Sequence, residues 1–146
     1  KKQGLEFIDT DSCIEKKFSM KISEIFEQKG EDFFRTEEEK EILKLLKKNK
    51  CVIALGGGAF VNKNIRNDVL KKGVSIWLNA TLTTISKRVG WNDKRPLLNK
   101  KNRSKEIKKL LSVRKNIYKL ANHKIDCDNL TKEDIVKKII IYYESN

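Results

Sequence analysis

Ala54-Leu55-Gly56-Gly57-Gly58-Ala59 closes the apolar run Cys51-Val52-Ile53-Ala54-Leu55, and this junction decides the architecture. A short apolar run bounded by turn residues reads as a buried strand. Three glycines directly after it let the backbone approach a ligand where any Cβ would intrude, although taken alone they also make an ordinary turn. Working outward, short apolar runs keep alternating with longer amphipathic stretches. Residues 5–9 read as a strand, with Asp11 or Ser12 placed to cap a helix running to about Phe18. Residues 74–78 form a second fully apolar strand, and 124–127 a last short one.

Between these strands the periodicity is helical. Ile22 to Phe26 predicts a short helical turn closed by Gly30, and residues 31–48 the longest early helix, with Phe34, Ile42, Leu45 and Leu46 at helical spacing and Asn49 as its stop. Residues 64–72 predict a helix ended by Gly73, 81–89 another, and 103–121 a further one. Thr131-Lys132-Glu133-Asp134 resembles a capping box, with aspartate in the usual Glu or Gln position, opening a helix whose Ile135, Ile139 and Tyr143 share a face. Residues 90–102 carry charge, the chain's single proline and no apolar periodicity, and read as a mobile lid. Strands alternating with helices predict an α/β domain with a mainly parallel sheet, whose ligands sit at the carboxyl ends of the strands. Asp9, Asp11 and Gly56 to Gly58 fall at two such ends.

A chain of 146 residues supports one core, so a single domain over 1–146 is expected. No apolar stretch approaches the roughly 18 residues of a membrane span, which leads to the expectation of a cytoplasmic protein without a membrane partner. Cys13, Cys51 and Cys127 are far apart and without a Cys-x-x-Cys pair, which argues for reduced, buried thiols rather than a disulfide framework or a zinc site. With His123 as the only histidine, a serine triad lacks parts. The net charge of +13 points to an anionic partner, but the lysines fall as doublets such as Lys47-Lys48 and Lys137-Lys138, with no aromatic-interleaved basic stripe. A solvated lysine surface is therefore favoured over a nucleic-acid site. Only six of the basic side chains are arginine: Arg35, Arg66, Arg88, Arg95, Arg103 and Arg114. A chain that otherwise uses lysine keeps arginine where a planar fork for carboxylate or phosphate is needed.

Two aspartates one residue apart at a strand exit, Asp9 and Asp11, suit a hydrated magnesium ion and a substrate hydroxyl; Asp11 reads equally as a helix cap. Arg35 lies near a helix start, where the dipole gives a cation nothing, so it reads as ligand-directed or as paired with Glu37, Glu38 or Glu39. Arg95, just before Pro96, reads either as a guanidinium carried onto phosphate or as a solvated loop residue. Arg114, among lysines inside a helix, reads by itself as a surface residue.

Together these pieces resemble the shikimate kinases. The likeness covers Asp9-Thr10-Asp11, the stretch from Ile25-Phe26 to Gly30-Glu31, Phe34-Arg35 with Glu38, Gly56-Gly57-Gly58-Ala59, Arg95-Pro96-Leu97-Leu98, and Arg114 with Tyr118. The resemblance implies a three-layer P-loop fold of the nucleoside-monophosphate-kinase type and transfer of the γ-phosphoryl group of ATP to the 3-hydroxyl of shikimate. It implies that Asp9 positions Mg2+ through water and that Asp11 binds and helps deprotonate the hydroxyl. Arg35 and Arg114 would grip the shikimate carboxylate, Gly57 and Gly58 would offer backbone amides, Arg95 would meet the ATP phosphates, and Arg88 would lie along the adenine. Residues 12–50 become a shikimate-binding helical region, and the expected partners are shikimate and ATP, with the protein a monomer.

Two departures from the family pattern stand out. The family's Gly-x-x-x-x-Gly-Lys-Ser/Thr loop, whose amides and lysine hold phosphates, does not occur in these 146 residues. The expectation is that the parent protein encodes it, and the preceding central strand, upstream of Lys1. At Asp128-Asn129-Leu130 an adenine-facing arginine of many members is also missing. The competing readings are a noncatalytic binding or regulatory relative and a kinase of the same fold acting on another small molecule such as gluconate.

Overall fold

A computed structural model describes residues 4–89 and 103–145. The expected lid, 90–102, with Arg95, lies outside the described residues. The chain forms two compact units, one ending at Lys72 and the other beginning at Gly73.

In the first unit, β1 (Glu6–Asp9) pairs in parallel with β2 (Cys51–Ala54), from Glu6 opposite Cys51 to Asp9 opposite Ala54. Three helices fill the connection: α1 (Thr10–Phe18), α2 (Ile22–Lys29) and α3 (Glu31–Leu45). Residue 9, rather than 11 or 12, caps α1: the Ser12 amide donates to Asp9 Oδ1 at 3.1 Å. The helix starts directly off the strand because the aspartate that ends β1 satisfies its first free amides. The segment at 22–29 is a two-turn helix rather than a single turn, its start held by the Lys21 amide donating to Glu24 Oε2 at 2.7 Å. Gly30, at φ +84°, turns the chain from α2 into α3. Helix α3 ends at Leu45, short of the expected Lys48, because Lys47 and Lys48 bond back as a turn.

Ile14, Ile22, Ile25 and Phe34 pack a buried cluster edged by Phe18, Met20, Phe26 and Phe33. Each such side chain contributes about 1.5–3 kcal/mol on burial, which is what fixes three short helices against one another. Lys17 Nζ bridges α1 to α3 through Glu37 at 2.5 Å. Strand β2 is not the buried strand that its composition predicts: Val52 is 37% exposed, and Phe7, opposite it in register, is 65% exposed. After the glycines a 3-10 turn (Ala59–Val61), not anticipated from the sequence, leads into α4 (Lys63–Lys72).

In the second unit, β3 (Ile76–Asn79) pairs in parallel with β4 (His123–Asp126). The entry to this pair is pinned by Asn122 Oδ1, which accepts from the Ser75 amide at 2.9 Å and from Ser75 Oγ at 2.6 Å. Strand β3 starts and ends later than expected, and its Leu78 is 52% exposed, so it too is only partly buried. Helices α5 (Leu82–Val89), α6 (Arg103–Tyr118) and α7 (Lys132–Glu144) complete the unit. The capping box that opens α7 is present in both directions: Asp134 N donates to Thr131 Oγ1 and Thr131 N to Asp134 Oδ2, each at 3.1 Å. Of the three thiols, which are free, Cys127 is buried and Cys13 and Cys51 are half-buried, so burial holds for one only.

Candidate active site

The carboxyl ends of β1 and β2 bring Asp11, Arg35, Glu38 and the glycines together. Arg35 sits on the second turn of α3 and lies over the rings of Phe34 and Phe26, with its guanidinium carbon 5.2 and 5.9 Å from their centroids. Its Nη1 donates to Glu38 Oε2 at 2.7 Å, while Nε and Nη2 donate to Glu31 Oε1 at 3.2 and 3.1 Å. Burial alone would lower the pKa of this guanidinium, but hydrogen bonds and charge attraction from Glu38 and then Glu31 outweigh it and raise the pKa above the ordinary arginine value. The ion-pair reading of Arg35 holds, though with Glu31 and Glu38 rather than Glu37 or Glu39, and the same guanidinium also lies against the glycine loop.

Gly58 shows that aim. A Cβ built there would lie 2.5 Å from Arg35 Nη1 and 2.8 Å from Nη2, closer than side-chain carbons come to anything. The end of the guanidinium thus rests directly on the backbone of Gly58, and each of the two terminal nitrogens carries a second N–H beyond its carboxylate bond. Gly56 is crowded in the same way: its Cβ would be 2.9 Å from Asp11 Oδ1 and 3.0 Å from Glu38 Oε1. At both positions a Cβ would displace the ends of these side chains, and Gly57, between them, is exposed. A carboxylate, a guanidinium and an exposed glycine therefore meet at one strand exit, residue types suited to an alcohol substrate that carries its own carboxylate.

Helix α3 supports this loop from further along. Glu39 accepts from Asn62 Nδ2 at 2.7 Å and from Asn64 Nδ2 at 3.0 Å, and Arg66 Nη1 donates to the carbonyls of Phe60 and Val61 at 3.1 and 2.9 Å. The 3-10 turn that follows the glycines is held at both ends. Sequence reading offered Glu39 only as a partner for Arg35 and did not single out Asn62 or Arg66 for a role; the signal present was that Arg66 is one of only six arginines. It also passed over Thr10, whose buried hydroxyl donates to Ala54 O at 3.1 Å.

Asp9 and Asp11 meet different surroundings, Asp9 at the start of α1 and Asp11 against Gly56. Asp9 commits Oδ1 to the cap of α1, which leaves Oδ2 for an outer contact. Among the described residues no group of three or more His, Cys, Asp or Glu side chains is arranged to hold a metal ion. That donor set still fits a magnesium ion that keeps several waters and takes other ligands from substrate phosphates.

Arg88 and Arg114 belong to the second unit. Arg88, on the last turn of α5, is exposed and donates Nη2 to the carbonyl of Cys127 at 3.1 Å. Burial raises the pKa of the Cys127 thiol. Arg114 lies inside α6, half-buried. No helix among the described residues is long and apolar enough to cross a membrane.

Comparison with known proteins points the same way as the geometry. The family model described as shikimate kinase matches residues 1–144. A shikimate kinase of Sulfurihydrogenibium sp. (strain YO3AOP1) is 41% identical over 139 residues, covering 95% of this chain and 82% of the relative. One of Bartonella quintana (strain Toulouse) is 40% identical over 149 residues, covering 98% and 71%. Among solved structures, the Acinetobacter baumannii shikimate kinase in complex with shikimate matches with a TM-score of 0.93 at 31% identity, over 98% of this chain and 80% of that one. The Aquifex aeolicus shikimate kinase matches with a TM-score of 0.84 at 30% identity, over 99% and 84%. A match over nearly the whole chain, in sequence and in backbone alike, settles the affiliation: the chain belongs to the shikimate kinase family.

Proposed function

We propose that the shikimate kinase reaction, transfer of the γ-phosphoryl group of ATP to the 3-hydroxyl of shikimate, uses the exit of β1 and β2 as its acceptor site. The observation that carries this reading is the Arg35 guanidinium laid against Gly58, beside Asp11 and Gly56. Shikimate offers a carboxylate to Arg35 and a hydroxyl to Asp11, with the amides of Gly57 and Gly58 toward its ring. The hydroxyl oxygen forms the new P–O bond as the bond from the γ-phosphorus to ADP breaks, and the hydroxyl proton passes to Asp11. Magnesium, when bound, neutralises charge on the transferring phosphates; Asp9 Oδ2 would hold it through water.

Arg114 is the second guanidinium for the shikimate carboxylate in this reading, Arg88 the adenine neighbour and Arg95 the phosphate contact. Their support is the motif likeness, together with the residue type at each position. The phosphate-binding loop motif does not occur in these 146 residues, so this chain accounts for acceptor recognition and for the lid and adenine contacts. Residues 12–50 and 90–102 act as the shikimate-binding region and the lid. The reading places a monomer in the cytoplasm, with neither nucleic acid nor membrane as partner.

The test is ADP release with shikimate, ATP and magnesium, on the protein as it occurs with any flanking sequence. Turnover that collapses in Asp11→Asn supports the assignment. Turnover equal to that of Asp11→Asn identifies a noncatalytic relative instead, and equal rates on gluconate identify a different acceptor.

A further inference from the structure

We propose that Thr10, the central residue of Asp9-Thr10-Asp11, is a positioning residue for shikimate and Asp11, acting through its buried hydroxyl. The proposal rests on the acceptor site described above. Thr10 is fully buried, at 0% exposure, in a unit whose other core side chains are mostly apolar. Its Oγ1 donates its single proton to Ala54 O at 3.1 Å and accepts from the Gly56 amide at 3.3 Å. A hydroxyl has one proton to give, so the direction of both bonds is fixed.

The position of this crosslink matters. Parallel pairing of β1 and β2 ends at Asp9 opposite Ala54. One residue later the two chains part, one into α1 and the other into the glycine loop, and the Thr10 hydroxyl continues the ladder for one further step. Asp11 follows Thr10 directly, and Gly57 and then Gly58 follow Gly56. The Thr10 bonds therefore tie the chain that carries the base to the chain that carries the substrate amides, at the last point before both become functional. A displacement of about 1 Å between such groups costs on the order of 100-fold in rate. Valine fills the same volume but leaves the Ala54 carbonyl and the Gly56 amide without this partner, so the hydroxyl serves stability as well as position, and the kinetics of variants that fold separate the two.

The experiment is a kinetic comparison of Thr10→Val, Thr10→Ala and Thr10→Ser in the protein as it occurs, with urea unfolding of each. Thr10→Val is expected to lower kcat by roughly 10- to 100-fold and to raise the shikimate KM, with the KM for ATP unchanged. Thr10→Ser, which keeps the hydroxyl and loses the methyl, is expected to stay within about threefold of the parent. If Thr10→Val does not fold, the Ser and Ala variants decide, since they differ only in the hydroxyl. Equal kinetics for Ser and Ala, or a Thr10→Val enzyme with parental kcat and KM, would overturn the proposal. Asp11→Asn is run alongside: if it retains full turnover, the acceptor-site reading has failed, whereas an inactive Asp11→Asn beside a normal Thr10→Val leaves that reading standing and removes only this one.

Discussion

The exits of the two strand pairs use similar residues to opposite ends. At β3 and β4, Asn79 Nδ2 donates to Asp126 Oδ1 at 2.5 Å, and the Thr81 amide and hydroxyl donate to Asp128 Oδ1 at 2.9 and 2.8 Å. Hydrogen bonds from Asn79 and then Lys124 lower the pKa of Asp126, and bonds from Thr84 and Thr81 lower that of Asp128. These carboxylates accept from residues beside them, Asp126 from Lys124 as well as Asn79, and they close the strand ends locally. At β1 and β2 the polar groups reach across glycines instead: Arg35 lies on Gly58, and Asp11 and Glu38 lie on Gly56. The difference is side-chain volume. Where Asn79 and Thr81 stand in the second unit, side chains satisfy one another, whereas the glycines in the first leave room for groups from α1 and α3 to converge on the loop.

The comparison is broken most severely at the base. Asp11→Asn is expected to lower kcat by roughly 100- to 10,000-fold with little change in shikimate affinity, as measured by steady-state kinetics and calorimetry. Next comes Arg35→Lys, which keeps the charge and loses the fork; the shikimate KM is expected to rise by on the order of 10-fold or more, while the KM for ATP holds. An unchanged shikimate KM would detach Arg35 from the substrate. Gly58→Ala is expected to raise the same KM by a smaller factor, because the new methyl needs space now held by Nη1 and Nη2, and a flexible arginine can partly withdraw.

A pH experiment sharpens the contrast in stability rather than activity. Hydrogen bonds from Lys17 and then Lys40 hold the Glu37 carboxyl below its ordinary value of 4.5, against a small opposing effect of burial. A depressed carboxylate pKa adds stability that is fully present above 4.5 and is lost as pH falls through the folded-state value. Urea midpoints of the parent and Glu37→Gln should therefore differ at pH 7 and converge in acid. The smallest effect is expected at the other strand exit: Asp128→Asn should leave the shikimate KM unchanged. A rise comparable to that of Gly58→Ala would mean that the second exit also serves the acceptor.

The family likeness was legible in Asp9-Thr10-Asp11, Phe34-Arg35 and the glycine triplet, because short motifs survive as identity and spacing. The strand and helix order followed from alternating runs for the same reason. Boundaries shifted where a local bond decided them: Asp9 capping α1 moved its start, and the turn at Lys47-Lys48 shortened α3. The exposure of Phe7 and Val52 was not legible, since an apolar run says that a segment can be buried and not what covers it.

By itself the sequence determined which chemical groups are available: two aspartates at a strand exit, rare arginines in a lysine-rich chain, and glycines where side chains are excluded. Only the tertiary structure decided the partners. Glu39 turned to Asn62 and Asn64, and the Thr10 hydroxyl reached Ala54 and Gly56 across 44 and 46 residues, whereas the Arg35 pairs with Glu31 and Glu38 follow from helical spacing within α3. Composition fixes what a side chain can donate or accept, but the partner it meets depends on distances of a few ångströms, which packing sets between segments remote in the chain.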